Sequence, residues 1–296
     1  VSRPVETPSG LPQILVPDTL KAYQDIASFY RMSFPHLKVV AITGSNGKTS
    51  TKDMIAAVLA TRYKVSKTRG NFNNEIGLPH TLLEITPTTE IAVTEMGMRG
   101  LGQIKAMCAF AKPDVAVITN VGSTHVGELG SLANIAKAKS EILEDLPQDG
   151  FAVLNGDLPR VRAMESKLHV PVSWFGLQPE DDVRAEAVEI TATGSTFLCK
   201  AGTEEATIFL PLIGEHNVMN ALAAIAVGRY FGVKLNNMKN ALAAVRITDS
   251  RQEVLHFGSY TVIDDAYNAS PASMEAAFAM LAKLKQGAAA PCRTIA

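Results

Sequence analysis

Short apolar runs alternate with stretches of helical periodicity over residues 38–154. Four runs rich in Val, Ile and Ala have the length of buried strands, namely residues 38–43, 91–95, 115–120 and 151–154. Helical stretches lie between them, including residues 132–146. Alternation of this kind is typical of a mostly parallel sheet with helices on both faces. We therefore predict an α/β fold whose ligands bind beyond the carboxyl ends of the strands.

The pattern changes on either side of this region. Residues 1–17 are rich in proline, which predicts a linker or domain edge, and Asp18 is placed to cap a helix over residues 20–34. Short β-type runs between residues 171 and 212 predict a small antiparallel sheet. Two helices, a strand and a third helix are predicted over residues 217–231, 236–245, 260–263 and 273–285. The last strand and helix are expected to belong to another domain.

The first predicted strand leads into a loop that carries two glycines and a lysine. Such a loop turns backbone N–H groups inward, and the N-terminus of the following helix adds partial positive charge. Lys48 can reach the outer phosphates of a nucleotide, and the hydroxyl of Thr49 is placed to ligate Mg²⁺. The spacing is a tighter variant of the general pattern, which would require glycine where Ile42 stands. We predict ATP binding by Gly44, Ser45, Asn46, Gly47, Lys48, Thr49 and Ser50.

Composition and charge narrow the class of protein. The 296 residues are 47% apolar and 19% charged with a formal net charge of -1, which argues against a broad nucleic-acid-binding surface. No apolar run approaches the length of a transmembrane helix. Cys108, Cys199 and Cys292 are far apart and form no C-x-x-C pair, so we expect buried thiols in a reducing compartment. We predict a cytoplasmic protein, a monomer by default, with small-molecule partners only.

Polar groups follow two of the predicted strands and open a later helix. Glu95 ends the second strand, where a buried carboxylate requires either Mg²⁺ or a lysine as its cationic partner. His125 lies in a Gly-Ser-Thr loop after the third strand, a place that suits a ligand and a loop hydrogen-bonding group equally well. Lys137 and Lys139 have the spacing of two solvated helix lysines. The residues alone therefore leave the role of His125 open and favour two solvated lysines.

Seven segments together resemble the motif series of the Mur ligases. They are residues 44–49, 70–79, 95–97, 120–125, 136–139, 214–220 and 264–271. The asparagine-rich segment at 70–79, the sequence EMGMRG at 95–100 and DDAYNASP at 264–271 favour the branch that joins D-Ala-D-Ala to UDP-N-acetylmuramoyl-tripeptide. Ser270 departs from the family pattern, in which asparagine is frequent at that position.

The resemblance implies a three-domain enzyme of peptidoglycan synthesis. An N-terminal domain would hold the UDP end of the acceptor, a central domain would bind ATP, and a Rossmann-like domain would follow. On this basis we assign residues 1–36 to a linker and helix from the first domain, 37–247 to the central domain and 248–296 to the start of the third. Val1 and the strand-like residues 293–296 lead us to expect a portion of a longer protein, one that binds nucleotide but ligates poorly.

The implied reaction uses ATP to phosphorylate the terminal carboxylate of the muramoyl peptide, after which the amine of D-Ala-D-Ala attacks the acyl phosphate. Cations and directed N–H groups must neutralise the charge between carboxylate and phosphate. The resemblance accordingly assigns Lys48 to the β- and γ-phosphates, and Thr49 and Glu95 to a first Mg²⁺. His125 and Lys139 match a second metal position, where the family lysine is carbamylated, and Lys139 matches better than Lys137. Carbamylation requires an uncharged amine, hence a lysine with a depressed pKa.

The same resemblance assigns further contacts. For the nucleotide these are Asn217 and Asn220 at the adenine, Arg251, Asp265 at the ribose and Asn268 nearby. Asn73 and Asn74 match contacts to the muramoyl peptide, and otherwise they are turn residues. His216 and Asn217 alternatively cap the helix that follows them.

Two other functions are compatible with the sequence. Another amide ligase with a similar central domain, such as folylpolyglutamate synthetase, would differ in its acceptor and its amine. A non-catalytic nucleotide-binding module would use ATP to control a partner and would need no carboxylate acceptor. The combination of Glu95, His125 and Lys139 counts against the module, since a switch has no evident need of a second metal.

Overall fold

The structure is a computed structural model that describes residues 1–6, 10–247, 251–258, 260–287 and 292–296. Its helices are α1 (Thr19–Met32), α2 (Lys48–Ala60), α3 (Gly77–Leu83), α4 (Gln103–Ala111), α5 (Val126–Leu129), α6 (Leu132–Ser140), α7 (Pro159–Arg162), α8 (Glu215–Tyr230), α9 (Leu235–Ala243) and α10 (Pro271–Gln286). Its strands are β1 (Lys38–Thr43), β2 (Val65–Lys67), β3 (Ile91–Glu95), β4 (Val115–Ile118), β5 (Phe151–Asn155), β6 (Val172–Gly176), β7 (Val183–Thr191), β8 (Gly194–Ala201), β9 (Glu204–Leu210), β10 (Glu253–Phe257) and β11 (Tyr260–Asp264). Two 3₁₀ helices cover Glu141–Leu143 and Ala163–Lys167.

Strands β1 to β9 form one mixed sheet in the order β2-β3-β1-β4-β5-β6-β7-β8-β9. Neighbouring strands from β2 to β7 are parallel, and β7, β8 and β9 pair antiparallel. Strand β1 lies between β3 and β4, with Val40 opposite Val93 on one side and Val115 on the other. The predicted α/β fold with a mostly parallel sheet is confirmed. The strand order reverses beside β1, and α/β proteins bind ligands in the crevice at such a point.

Helices cover both faces of this sheet because successive side chains of a strand point to opposite faces. Val40 and Ile42 of β1 belong to a core with side chains of α2, α8 and α9, whereas Val39 and Ala41 belong to a core with those of α1, α3, α4 and α6. All four side chains are fully buried. Burial on both faces explains why this strand is a continuous apolar run in the sequence.

Most predicted elements lie within two residues of their observed bounds. The helix predicted over residues 132–146 is the exception, because α6 ends at Ser140 and a 3₁₀ helix follows. Glu141 begins that 3₁₀ helix, and its carboxylate accepts the backbone N–H groups of Gly102 at 2.7 Å and Lys105 at 3.2 Å. The chain therefore leaves the α-helical path where this carboxylate caps the start of α4.

Three strands were missed from the sequence, and the antiparallel strands lie in an unexpected place. Strand β2 has three residues, β6 includes the aromatic pair Trp174 and Phe175, and β10 precedes the predicted β11. The predicted antiparallel strands are present, and β7 joins them to β6 so that they extend the large sheet. The cysteine prediction holds for Cys108 and Cys199, which are buried free thiols, and is wrong for Cys292, which is exposed.

Strands β10 and β11 form a separate two-stranded antiparallel sheet, and α10 follows it. Ser270 caps α10, as its side chain accepts the backbone N–H of Ser273 at 3.2 Å. The predicted start of this unit at residue 248 lies outside the described residues. Within the described ranges, no helix combines the length and the apolar character needed to cross a membrane.

Candidate functional site

The loop between β1 and α2 has a shape that requires glycine at two positions. Gly47 has φ of 77° and caps the start of α2 in the left-handed conformation. A Cβ at Gly47 would lie 2.5 Å from Oδ1 of Asn220, and one at Gly44 would lie 1.8 Å from Oγ1 of Thr119. Side chains at either position would therefore push the loop away from the ends of β4 and α8.

Residues at the end of β4 hold this loop in place. The amide oxygen of Asn120 accepts the backbone N–H groups of Ser45 at 3.1 Å and Asn46 at 2.9 Å, and its amide nitrogen donates to the Asn46 carbonyl at 2.9 Å. The Thr119 hydroxyl donates to the same carbonyl at 2.8 Å. Because Asn120 occupies those two N–H groups, the amides free for an anion are those at the start of α2, which the helix leaves unpaired.

Lys48 lies across the loop that precedes it. Its ammonium donates to the carbonyls of Gly44 at 3.0 Å and Ser45 at 3.4 Å. Burial lowers the pKa of Lys48, the charge of Glu95 raises it and the charge of Arg251 lowers it. The Lys48 ammonium therefore lies against the preceding loop, close to the negative charge of Glu95 and the positive charge of Arg251.

The carboxylate of Glu95 lies beside the first turn of α2 and is 2% exposed. One oxygen accepts the Thr49 hydroxyl at 2.8 Å, and the other accepts the Asn73 side-chain amide at 2.7 Å. Among the described residues, no lysine or arginine lies within ion-pair distance of Glu95, so the predicted alternative of a salt bridge is not observed. Two buried hard oxygens side by side are the kind of ligand that Mg²⁺ takes.

The structure separates the two lysines of α6. Lys137 is exposed, whereas Lys139 is 2% exposed and faces the same cavity as Lys48. No hydrogen-bond acceptor for Lys139 is found in the part of the chain that the structure describes. Burial, and then the positive charge of Lys48, hold the pKa of Lys139 well below its ordinary value. Lys139 is therefore an amine that loses its proton more readily than an exposed lysine such as Lys137.

His125 opens α5 with φ of 68°, and its Nδ1 lies 3.7 Å from a carboxylate oxygen of Glu128. The side chain is about one-third exposed and lines the same cavity. Within the described ranges, no three His, Cys, Asp or Glu side chains lie close enough together to hold a metal ion. Any metal here must take further ligands from water, phosphate or a modified lysine, as Mg²⁺ commonly does with the first two.

The start of α8 brings two buried asparagines to the other side of the loop. Asn220 accepts the Thr51 hydroxyl at 3.1 Å and donates to Asn217 at 3.3 Å, and Asn217 donates to the Ile213 carbonyl at 3.1 Å. The predicted alternative of a His-Asn cap is wrong, because the cap of α8 is Gly214 with φ of 112°. Glycine there leaves both amide side chains inside the cavity.

The two asparagines predicted to meet the acceptor have different partners. The Asn74 side chain accepts the backbone N–H groups of Ile76 at 3.1 Å and Gly77 at 2.8 Å, which is the turn role predicted as the alternative. Asn73 is tied instead to Glu95 and so links this loop to the candidate metal ligands. Only part of each side chain is therefore available to a ligand without rearrangement.

The remaining predicted residues come from the segment after residue 250. The guanidinium of Arg251 stacks on the ring of Tyr267, with Cζ 3.8 Å from the ring centroid. Burial raises the pKa of Asp265, and a hydrogen bond from the Gln252 backbone N–H lowers it. Asn268 accepts the backbone N–H of Ala269 at 2.9 Å.

One cavity of about 830 Å³ is lined by all of the predicted site residues. These are Gly44, Ser45, Asn46, Gly47, Lys48, Thr49, Ser50, Asn73, Asn74, Glu95, His125, Lys139, Asn217, Asn220, Arg251, Asp265 and Asn268.

Sequence reasoning missed Asn120, Asn155 and Tyr267, which line the cavity as well. Asn120 lies two residues after the end of β4, and Asn155 is the last residue of β5. The rule that ligands bind at the ends of strands could therefore have selected both. Asn155 donates to the Thr119 carbonyl at 2.9 Å and fixes the strand end that holds the phosphate loop.

Comparison with known proteins agrees with this geometry. A family model described as "Mur ligase middle domain" matches residues 42–228. The UDP-N-acetylmuramoyl-tripeptide--D-alanyl-D-alanine ligase of Bacillus subtilis (strain 168) is 45% identical over 273 residues, which are 92% of this chain and 58% of that relative. The chain therefore spans less than two thirds of the length of this relative.

Two solved structures are similar over almost all of the chain. A crystal structure of MurF from Acinetobacter baumannii matches with a TM-score of 0.91 and 32% identity, covering 95% of this chain and 62% of that one. The MurF ligase of Thermotoga maritima in complex with ADP matches with a TM-score of 0.85 and 28% identity, covering 94% of this chain and 64% of that one.

Proposed function

The chain belongs to the Mur ligase family, and from that membership we propose that it binds ATP and activates the acceptor in a ligase that joins D-Ala-D-Ala to UDP-N-acetylmuramoyl-tripeptide. The observation that carries the proposal is the group formed by Lys48, the hydrogen-bonded pair Thr49 and Glu95, and the buried Lys139, all facing one cavity. A phosphate loop serves any nucleotide-binding protein. A second buried lysine beside that loop is useful in a ligase, because there a carboxylate must approach the phosphates.

The phosphates of ATP are proposed to lie over the start of α2. Its unpaired N–H groups and Lys48 would hold the β- and γ-phosphates, because both direct positive charge to the same place. An anion there would also accept the hydrogen bonds that Lys48 now donates to loop carbonyls. Asn217 and Asn220 would face the adenine, and Asp265 and Asn268 the ribose.

The residues present fit Mg²⁺, since Thr49 and Glu95 offer two adjacent oxygens in a buried position. Two protein ligands suffice for Mg²⁺, which keeps waters and takes phosphate oxygens as its other ligands. The bound ion would supply positive charge against the phosphate oxygens. Asn73 donates to the other Glu95 oxygen and so keeps that carboxylate oriented toward Thr49.

The chemical steps are those of acyl-phosphate formation and aminolysis. A carboxylate oxygen of the acceptor attacks the γ-phosphorus, the bond to the β-phosphate oxygen breaks and ADP leaves. The amine of D-Ala-D-Ala then attacks the acyl carbon, loses a proton and expels phosphate. Lys48 and the N–H groups at the start of α2 offset the negative charge that accumulates as the two anions meet.

His125 and Lys139 are proposed to form a second metal position after Lys139 is carbamylated. Carbon dioxide adds only to the uncharged amine, and the depressed pKa of the buried Lys139 supplies that form. Addition forms an N–C bond and releases one proton from the nitrogen, which leaves a carboxylate on a long arm that suits a metal ligand. Asn73 and Asn74 are proposed to face the peptide of the acceptor.

The domain bounds, the cellular location, the oligomeric state and the class of partners are proposed as the sequence predicted them. We propose the central ATP-binding domain to be residues 37–247, flanked by residues 1–36 and 248–296 from neighbouring domains. A cytoplasmic location, a monomeric state and small-molecule partners alone are proposed with it.

Phosphate release in the complete protein tests the function. Release from ATP should require UDP-N-acetylmuramoyl-tripeptide and D-Ala-D-Ala together, and glutamate with a folate acceptor should not replace them. Replacing Lys48 with Ala should abolish turnover while the chain still folds, and the matched Lys137→Ala variant should keep activity because Lys137 is exposed. Release that needs no carboxylate acceptor would favour the nucleotide-binding module, and release with folate and glutamate would favour the other ligase.

A further inference from the structure

Arg251 lines the cavity, and its guanidinium has no acceptor in the part of the chain that the structure describes. Its Nε is buried without a hydrogen-bond partner, and neither terminal nitrogen has an acceptor among the described residues. Asp265 also lines the cavity, and it forms no ion pair with Arg251. A buried donor without a partner is unfavourable, so the group is arranged for a ligand that brings acceptors.

The charges around Arg251 indicate what kind of ligand that is. Lys48 faces the same cavity, and the two positive charges repel each other, as the effect of Arg251 on the pKa of Lys48 shows. A polyanion bound between the positive groups would attract them both and so offset their mutual repulsion. Planar guanidinium groups pair well with phosphate oxygens.

The backbone beside Arg251 is fixed by Gln252. Gln252 has φ of 54°, an unusual conformation for a residue other than glycine. Its side-chain oxygen lies 2.9 Å from Nε2 of His216, and its backbone N–H donates to Asp265. These contacts connect the segment to α8 on one side and to the end of β11 on the other, but they do not touch the guanidinium.

The ring of Tyr267 is the group that orients the guanidinium itself. The 3.8 Å separation between Arg251 Cζ and the ring centroid is short enough for a cation–π contact, and a guanidinium that lies over a ring can still donate hydrogen bonds from its edge. The Tyr267 hydroxyl has no hydrogen-bond partner within the described ranges, so the contact is made by the face of the ring. Both residues line the cavity.

We propose that Tyr267 is a positioning residue whose ring holds the edge of the Arg251 guanidinium toward the phosphate groups of a bound nucleoside triphosphate. This inference rests on the proposed function, since it takes ATP as the ligand. Holding a long side chain in its bound orientation reduces the entropy lost on binding, and so the ring strengthens affinity without touching the nucleotide.

Nucleotide affinities of two variants test the inference, with ATP and AMP as probes of the chain. Tyr267→Leu removes the π face, and we expect ATP affinity to fall by up to about tenfold, the cost of ordering one long side chain on binding, while AMP affinity stays within about twofold. Tyr267→Phe keeps the ring and should match the original chain for both nucleotides. Unfolding temperatures of both variants are measured, and Tyr267→Met replaces the Leu variant if that one does not fold.

A double-variant cycle separates positioning from an independent effect. Once Arg251 is replaced by Ala, the further Tyr267→Leu change should have no added effect on ATP affinity. Additive losses, an equal loss of AMP affinity through contact with the base, or a Phe variant as weak as Leu would each overturn the inference. A chain that binds no ATP would refute the proposed function and this inference together, whereas normal ATP binding by Tyr267→Leu refutes only the inference.

Discussion

The two ends of the cavity are built in different ways. At the phosphate end, which comprises residues 44–49, Glu95 and Asn120, side chains from three adjacent strand ends are hydrogen-bonded to one another and mostly buried. At the boundary end, which comprises Arg251 and residues 265–268, most side chains are exposed and the contacts are local or single.

Because the two ends are built differently, changes at each end should affect nucleotide affinity and the free energy of unfolding in different ways. The phosphate end is part of the sheet edge, so a change there should alter the free energy of unfolding and the affinity for nucleotide together. The boundary end rests on a two-stranded sheet and one helix, so a change there should alter affinity alone. Each experiment below measures at least one of these two quantities, and the comparison fails where a change at one end has the effect expected at the other.

Gly44→Ala should have the largest effect. Its Cβ would lie 1.8 Å from Oγ1 of Thr119 and 3.3 Å from the backbone nitrogen of Asn120, so the loop must move away from β4. Displacement of about 1 Å at such a site can lower function on the order of 100-fold, and we expect that loss in nucleotide affinity. Overpacking should also lower the free energy of unfolding by about 1–3 kcal/mol. Calorimetric titration with ATP and chemical denaturation measure the two.

Gly127→Ala is the matched control, because a Cβ at Gly127 meets nothing within 4 Å. Gly127 lies in α5, where alanine is favoured over glycine by about 0.5–1 kcal/mol. Affinity for ATP should stay unchanged in this variant. Equal behaviour of the two alanine variants would mean that the close packing of Gly44 has no part in shaping the site.

Glu95→Gln should have the next largest effect, on the Mg²⁺-dependent part of nucleotide binding. The amide keeps the shape of the side chain but removes the negative charge beside Thr49. We expect apparent Mg²⁺ affinity in the presence of ATP to fall about 10–100-fold, as for other changes at metal sites. Affinity for ATP in EDTA should be unchanged or higher, since one negative charge near the phosphates is lost. A variant with normal Mg²⁺ dependence would remove Glu95 from the metal site.

Asn120→Ala and Asn268→Ala compare the two ends directly. Asn120 makes three hydrogen bonds to the phosphate loop, so its loss should lower the free energy of unfolding by about 1–3 kcal/mol and ATP affinity about tenfold. Asn268 is exposed, and among the described residues its side chain bonds only to the backbone N–H of its neighbour Ala269, so its variant should stay within about 0.5 kcal/mol in stability. A smaller loss of ATP affinity is expected for it. Loss of stability in the Asn268 variant alone would reverse the comparison.

The contrast between local patterns and contacts over long sequence separations also explains which features could be predicted from the sequence. Strand β1, its glycine loop and α2 follow from local rules, because a buried strand, a left-handed glycine and an amphipathic helix each have a local pattern. The partners of Asn120 could not be predicted, since a strand end 75 residues away in sequence supplies them. Pairing across a sheet depends on topology, and periodicity does not encode it.

Lys139 illustrates the limit for single residues. Lys137 and Lys139 have equivalent sequence contexts, and only the rotation of α6 against the sheet buries one and exposes the other. Resemblance to the family selected Lys139, whereas spacing alone favoured two solvated lysines. Tyr267 shows the opposite case, since its motif was recognised and its contact with Arg251 was not.

The last prediction concerns Lys139→Met and the pH dependence of the free energy of unfolding. The pKa of Lys139 is lower in the folded chain than the unfolded value of about 10.4, so between these two pKa values the unfolded chain binds more protons. The stability of the original chain should therefore rise with pH through this window, by about 1.4 kcal/mol for each unit by which the pKa is depressed. Lys139→Met removes this contribution, so its stability advantage should be largest near pH 7 and shrink toward pH 10.

Denaturation of both chains in buffers free of carbon dioxide measures that difference, and the pH dependence shared by other groups, such as the buried thiols of Cys108 and Cys199, cancels between them. Lys137→Met is the control and should follow the original chain at every pH, since Lys137 is exposed. Added bicarbonate should then stabilise the original chain and leave Lys139→Met unaffected, because only an uncharged amine at residue 139 can be carbamylated. An advantage of Lys139→Met that is constant from pH 7 to pH 10 would show that Lys139 keeps an ordinary pKa, and the phosphate end would then hold a charged lysine in place of a neutral one.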